Sequence, residues 1–495
     1  MREDDTHVGD SGPEGVALRS AAGRRVLAAT VGGSGMAFLD STAVNVALPT
    51  IGREFGASSL SGLQWVVNGY MLTLAAFILL SGSLGDRYGR RRLFLLGVVW
   101  FAVASALCAG AVTLPMLVVA RIAQGVGAAL LTPGSLALIE ASFRRADRAA
   151  AIGAWSGLTG IATAVGPFLG GWLVDAGSWR AIFLLNLPPA VAVVVVARRR
   201  VAESRNPDAA RRLDLVGTVL AVAGLGGLTY ALIEAGARGS SPVVLATGVT
   251  GLAALGAFVA VERTGSHPML PPRVFASPQF TAANLVTVTV YAALGAVFFL
   301  LVIYLQVALG YSALRAGAAT LPVTALMLVL SAGSGRLAQR IGPRTQMSVG
   351  PVVMAGGLLL MIRIDPGDGY LATVLPSVVV LGLGLATTVA PLTATALAAA
   401  GERYAGVASG VNNTVARTAQ LAAVAVIPLA AGLTGDTYAD PTAFAAGFHT
   451  AMLITAGLAA GGGVLAVVTI RDPLADRAPS ARSGHHQCGV DAPPL

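Results

Sequence analysis

Gly82-Ser83-Leu84-Gly85-Asp86-Arg87-Tyr88-Gly89-Arg90-Arg91 recurs far downstream as Gly335-Arg336-Leu337-Ala338-Gln339-Arg340-Ile341-Gly342-Pro343-Arg344. Gly, Leu, Arg, Gly and Arg align without a gap, and each copy sits between two apolar stretches. A polar hairpin duplicated in this setting marks a chain built of two related halves, with a site between them near the middle of a membrane. Among the five positions that differ, Gln339 stands where the first copy has Asp86.

Working outward from the two hairpins, apolar runs of the roughly 20 residues that a spanning helix needs recur along the chain. They lie near 26–48, 63–83, 93–111, 114–139, 149–173 and 180–197, then 213–234 and 242–262, then 279–304, 316–334, 345–363, 371–397, 405–431 and 447–470. The expected fold is an all-α polytopic membrane protein of fourteen transmembrane helices, arranged as six, two and six. The corresponding segments are an N-terminal tail (1–25), a first six-helix half (26–197), a linker with two extra helices (198–278), a second half (279–470) and a C-terminal tail (471–495). With 55% hydrophobic and 12% charged residues, and a mean hydropathy of +0.74, soluble domains are excluded.

The formal charge of +9 comes entirely from Arg, since the chain has no Lys. Nucleic-acid binding would gather that charge on one soluble face. Instead it falls in alternate loops: Arg24 and Arg25; Arg87 and Arg90 to Arg92; Arg144, Arg145 and Arg148; Arg198 to Arg200; Arg211 and Arg212; Arg336, Arg340 and Arg344; and Arg471. The intervening loops hold Arg53, Arg180, Arg238 and Arg315, with Arg363 at a helix end. Basic residues stay on the cytoplasmic side, so both termini are expected there. The all-Arg basic charge with the Ala, Gly and Val load points to a GC-rich bacterial genome. The polar first 25 residues lead straight into spans, so the first span is expected to act as an uncleaved signal anchor in a bacterial inner membrane. Cys108 in an apolar run and Cys488 in the tail have no reason to meet. His485, His486 and Cys488 are too few for a metal site.

Three further stretches complete a pattern. The first predicted span carries Leu39-Asp40-Ser41-Thr42-Ala43-Val44-Asn45-Val46-Ala47-Leu48-Pro49, and the fourth carries Arg121-Ile122-Ala123-Gln124-Gly125-Val126-Gly127. The fifth carries Gly166-Pro167-Phe168-Leu169-Gly170-Gly171. With the Gly82 hairpin, these four motifs, in this order, resemble those of the fourteen-helix drug:proton antiporter family of the major facilitator superfamily. The resemblance covers nearly the whole chain between its tails. It implies alternating access, with protons as the coupling ion, an amphipathic small molecule as substrate, no cofactor or metal, contact with membrane lipid and a monomer.

An ionised carboxylate at the centre of a span costs roughly 2.5–3.5 kcal/mol on insertion scales, so Asp40 requires a reason. One is packing, by hydrogen bonds to Thr42 or Asn45; the other, which the resemblance favours, is a carboxyl whose proton binding follows conformation. At 1.5 Å per residue, Asp40 and Arg121 lie about 12 Å and 10 Å below the outer ends of their helices, a matching depth for an ion pair. That pair is either static or the proton-coupling element.

The Gly82 hairpin serves as a topology signal. The resemblance adds a gate of Gly82, Asp86, Arg87, Gly89, Arg90 and Arg91, with Glu140 completing its charge network, and the Gln339 replacement puts a second such latch in doubt. Gly153, Gly157, Gly160 and Ala164 share a helix face that allows close packing, and Pro167 bends the span. Gly157, Gly166, Pro167, Gly170 and Gly171 match the antiporter motif. Candidates for a substrate cavity are Asn45, Trp65, Tyr70, Gln124, Trp155, Tyr291, Asn412 and Arg417. Arg417 either bonds to nearby amides and carbonyls or meets an anionic group of the substrate.

Three rivals are weaker. An importer of the same fold has no need of the fifth-span motif. A membrane-embedded enzyme wants a clustered His or carboxylate pair, whereas His7, His267, His449, His485 and His486 are scattered. A non-transporting sensor would be favoured by loss of Asp40 or Arg121, and both are present.

Overall fold

The computed structural model describes residues 15–57, 59–205, 214–265, 269, 270, 272–400 and 405–472. Of the residues singled out above, His7, Arg211, Arg212, His267, His485, His486 and Cys488 lie outside them. The chain is helical, and each of the fourteen apolar runs falls on one long helix. These are α1 (Ala21–Glu54), α2 (Leu60–Tyr88), α3 (Arg90–Ala109), α4 (Leu114–Ser142), α5 (Arg148–Ala176), α6 (Arg180–Arg200), α7 (Leu215–Arg238) and α8 (Pro242–Thr264). They continue with α9 (Pro278–Val307), α10 (Ala313–Ile341), α11 (Pro343–Met361), α12 (Tyr370–Ala399), α13 (Ala405–Ala430) and α14 (Pro441–Thr469).

Among the described residues, eleven of these helices are long and apolar enough to cross a membrane; α1, α11 and α13 are the more polar ones. The outer surface is apolar in a way that water would penalise and lipid would not. Leu96, Val99, Trp100 and Val103 of α3 and Val243, Leu245, Val249 and Leu252 of α8 all face outward.

Helices α1–α6 pack on one another, as do α9–α14, while α7 and α8 pair together and α7 leans on both α2 and α13. Most of the described arginine-rich turns meet at one end. There the Leu18 amide donates to Asp147, Arg90 N donates to Ser204 O, and Gln279 Nε2 donates to Arg471 O. At the opposite end Arg180 pairs with Glu54 at 2.7 Å and donates to Ala111 O.

The duplication reaches into the turns. Gly89 (φ 112°) ends α2 and Gly342 (φ 87°) ends α10, both in the left-handed region that glycine adopts without strain. A carboxylate from beyond the last helix of each group then caps the next helix. Glu203 accepts from the Arg91 and Arg92 amides, and Asp472 accepts from the Arg344 amide. The arginines repeat as well: Arg91 Nη1 donates to Val201 O and Arg344 Nη2 to Val467 O.

The apolar core is continuous between the two groups only away from the arginine-rich end. One cluster joins Val44, Leu48, Leu63 and Leu117 to Val297, Leu301, Tyr304 and Val424. At the arginine-rich end the first group keeps its own core around Phe94, Leu138 and Phe143, and the second has a small one around Phe280 and Val411.

Candidate functional site

Asp40 and Arg121 meet inside the first group, 0% and 1% exposed, with Arg121 Nη1 2.6 Å from Asp40 Oδ2. The other carboxylate oxygen accepts from Gln124 Nε2 and from Asn186 Nδ2, both at 3.0 Å. The guanidinium also donates to Gln124 Oε1 (2.6 Å) and, through Nε, to Val66 O (3.1 Å). Ser105 Oγ accepts from Gln124 and Asn186. Tyr70 lays its ring 4.3 Å from the guanidinium carbon, and Phe183 lies 5.8 Å away. Five helices thus converge on one buried ion pair, each of whose charged atoms is met by a polar or aromatic group. Such satisfaction is what makes a buried charge tolerable.

This network stands without the local bonds from Thr42 or Asn45 weighed above: Thr42 donates to Phe38, Leu39 and Thr163 carbonyls instead. Asn186 and Ser105 went unnoticed in the sequence, although an amide in the apolar run 180–197 was a signal of the same kind as Asp40.

Between the two groups lies a cavity of about 270 Å³. Helix α1 presents Phe38, Ser41, Thr42 and Asn45 to it, α9 Phe298 and Phe299, α10 Thr324 and Met327, and α13 Arg417 and Gln420. Of the eight cavity candidates, Asn45 and Arg417 line it. The others are engaged elsewhere. Gln124 belongs to the ion-pair network, and Tyr70 separates that network from a small recess shared with Phe38 and Arg417. Trp65 donates to Glu234 on α7, and Trp155 to Ser34 on α1. Asn412 ties α13 to α9 through Asn284 and Thr287, and Tyr291 packs on the main core. Phe298, Phe299 and Met327 escaped notice because apolar side chains in spans carry no mark of which way they face.

The fifth-span glycines divide into three kinds. A Cβ on Gly166 would strike Thr42 Oγ1, and one on Gly170 would lie 2.8 Å from Ala43 O; both are contacts with α1 inside the first group. A Cβ on Gly171 would lie 2.6 Å from Leu314 Cα, across the seam between the groups, and one on Gly317 would strike Pro167 O. Asp175 seals that seam, its carboxylate accepting from the Ala313 and Leu314 amides at 3.2 and 2.9 Å. Gly153, Gly157 and Gly160 have open space beside them, as do Gly333 and Gly335 on α10, so the close packing expected of the first three does not occur here. The α5–α10 seam is therefore shut at one end and parted toward the arginine-rich end. The α2–α13 seam is shut along its length, from Gln64 Nε2 donating to Val424 O down to Leu79 against Gly410.

In the Gly82 hairpin Asp86 and Arg90 form an ion pair at 2.8 Å, and Arg87 lies over Tyr88. Gly82 has open space beside it. Glu140, expected to complete the network, forms no ion pair among the described residues. The charges of Arg90, Arg148 and Asp86 act on Glu140, while Glu203 lies 3.8 Å from Arg91 and 3.7 Å from Arg92.

Residues 30–424 match the Major Facilitator Superfamily. The chain is 36% identical to the methylenomycin A resistance protein of Bacillus subtilis, over 85% of this chain and 90% of that one. It is 34% identical to the tetracenomycin C resistance and export protein of Streptomyces glaucescens, over 86% and 80% respectively. Among solved structures, a bacterial homologue of the human lysosomal transporter Spinster superposes with a TM-score of 0.63 at 16% identity, covering 92% of this chain and 98% of that one. With two related helical groups about a central cavity and this match over most of its length, the chain belongs to the major facilitator superfamily, as a multi-pass membrane transporter.

Proposed function

We propose that this chain exports amphipathic small molecules, drugs or antibiotics among them, from a bacterial cell in exchange for protons. The observation that carries the reading is the enclosed Asp40–Arg121 pair, set one aromatic ring away from Arg417 and the space between the two groups. A carboxyl beside an arginine in a low-dielectric interior takes up a proton at the expense of the pair, so protonation and helix packing must change together. Relatives named for resistance to methylenomycin A and for export of tetracenomycin C support the direction. Each charge moving down the membrane potential supplies about 2.3 kcal/mol per 100 mV, so no nucleotide or other cofactor is needed. The transporter acts as a monomer. The test is a toxicity screen in a host stripped of its own pumps. Expression of the chain raises the inhibitory concentration of some amphipathic compounds, and collapse of the proton gradient abolishes the protection. Protection that survives the collapse excludes proton coupling.

We also propose that all fourteen long helices span the membrane, six, two and six, with both termini in the cytoplasm. The arginine-rich end, where the α5–α10 seam is parted, then faces the cytoplasm, and the cavity is accessible from inside. Reporters fused after Arg92, Arg148 and Arg200 register cytoplasm, and one fused after Gly177 registers the exterior. An external signal at any of the first three overturns the topology.

A further inference from the structure

We infer that the central cavity is built for an anionic amphipath, whose acid group docks on Arg417. The inference rests on the exporter reading and names its substrate class.

Arg417 is the only charged residue lining the cavity among those described, and no described carboxylate pairs with it. Its Nη1 donates to Gln420 Oε1 at 3.2 Å, and its guanidinium carbon lies 5.6 Å from the Phe38 ring centroid. Those contacts orient the fork without neutralising it. Asp40, only two residues beyond Phe38, does not serve as counterion: it is fully enclosed on the far side of α1 and bonded to Arg121, Gln124 and Asn186. The cavity therefore keeps an unopposed positive charge whenever the Asp40–Arg121 pair is closed.

An arginine held in a membrane interior without a carboxylate is costly, and its planar fork is the group that best matches a carboxylate or similar oxyanion. A second polar atom awaits a partner nearby: Asn45 Oδ1 is buried with no hydrogen bond, on the same cavity wall. It can accept from a hydroxyl of the guest. Apart from Gln420 and the hydroxyls of Ser41, Thr42 and three further threonines, the rest of the lining is apolar, with Phe298, Phe299 and Met327 offering an adaptable bed. An apolar, preferably aromatic, body with one acid group and one hydroxyl satisfies each of these features. A permanent cation of the same size would meet Arg417 with no acidic residue to offset it.

Two dyes with the same xanthene ring system, fluorescein as the anion and rhodamine 123 as the cation, separate the possibilities. Inverted vesicles containing the full chain are given a pH gradient, filtered and lysed at fixed pH to quantify trapped dye. The expected result is proton-driven accumulation of fluorescein, with rhodamine 123 moved at least about tenfold more slowly. Arg417→Gln lowers fluorescein transport by about tenfold or more, the size of one lost charge-assisted contact, without slowing rhodamine 123. Arg417→Lys, which keeps the charge without the fork, retains part of the activity, and an unchanged gel-filtration profile shows both variants folded. Proton-driven transport of rhodamine 123 as fast as fluorescein, or fluorescein transport undiminished in Arg417→Gln, overturns the anion site and leaves the exporter reading standing. Movement of neither dye also overturns the anion site; joined to a blank resistance screen, it removes the exporter reading too.

Discussion

Inverted vesicles carrying Asp40→Asn are expected to show no more proton-driven efflux than vesicles lacking the protein. The substitution keeps the shape of the side chain and can keep hydrogen bonds to Gln124 and Asn186, but it fixes the neutral state. Removing one partner of a buried ion pair costs about 3–5 kcal/mol when the other is left bare. Here Arg121 retains Gln124 Oε1, Val66 O and the Tyr70 ring, so the chain folds with a lowered melting temperature. Exchange of labelled for unlabelled substrate in the absence of a gradient survives, because it needs the cavity but no net proton movement. Asp40→Glu keeps a titratable carboxyl in a site with no spare room and transports slowly. Arg121→Lys loses the planar fork that reaches Asp40, Gln124 and Val66 together, and its transport shifts in pH dependence. Full proton-coupled efflux by Asp40→Asn would make the pair a static brace and send the proton by another route.

The second large effect is expected at Gly171. A valine there has its Cβ at 2.6 Å from Leu314 Cα, against backbone that cannot step aside, and so wedges α5 from α10 at the end where they touch. Transport falls to background while the amount of folded protein in the membrane stays near normal, because the contact lies between the groups. In a background without Cys108 and Cys488, a cysteine at Gln420 becomes reactive toward an impermeant maleimide added outside intact cells. Gly166→Val is the contrast: it strikes Thr42 within the first group and lowers the yield of folded protein. Equal folded yield from both variants, with no gain in external labelling for Gly171→Val, would refute the division of the motif into internal and seam contacts.

That division shows what could and could not be read from the residues. The fourteen helices were legible because a bilayer demands about 20 apolar residues per crossing and tolerates few breaks. The meeting of Asp40 with Arg121 was legible because charges in spans are rare and depth can be counted along a helix. Asn186 and Ser105 were harder, since neutral polar residues in spans are common enough to pass without remark. Glu203 and Asp472 were invisible: they are loop carboxylates, and only the folded turn brings each onto a helix start more than a hundred residues earlier. The glycines were grouped by spacing along one helix, whereas Gly166 and Gly171 differ in which neighbour they face, a property of the assembled bundle.

The Asp175 carboxylate supplies acceptors for the first amides of α10 from across the seam. Helix caps contribute about 0.5–2 kcal/mol, and here the added acceptors and the helix they serve belong to different helix groups. Parting that end strips the Ala313 and Leu314 amides of these acceptors, leaving α10 only its own Ser312 cap, so the resting equilibrium is tilted toward the shut state by a factor of about 2–30 before any guest arrives. With the proposed topology, in which the parted end faces the cytoplasm, that tilt works as a check valve. Molecules already expelled find the return entrance closed for most of the time, and passive back-leak stays low without any expenditure of the proton gradient.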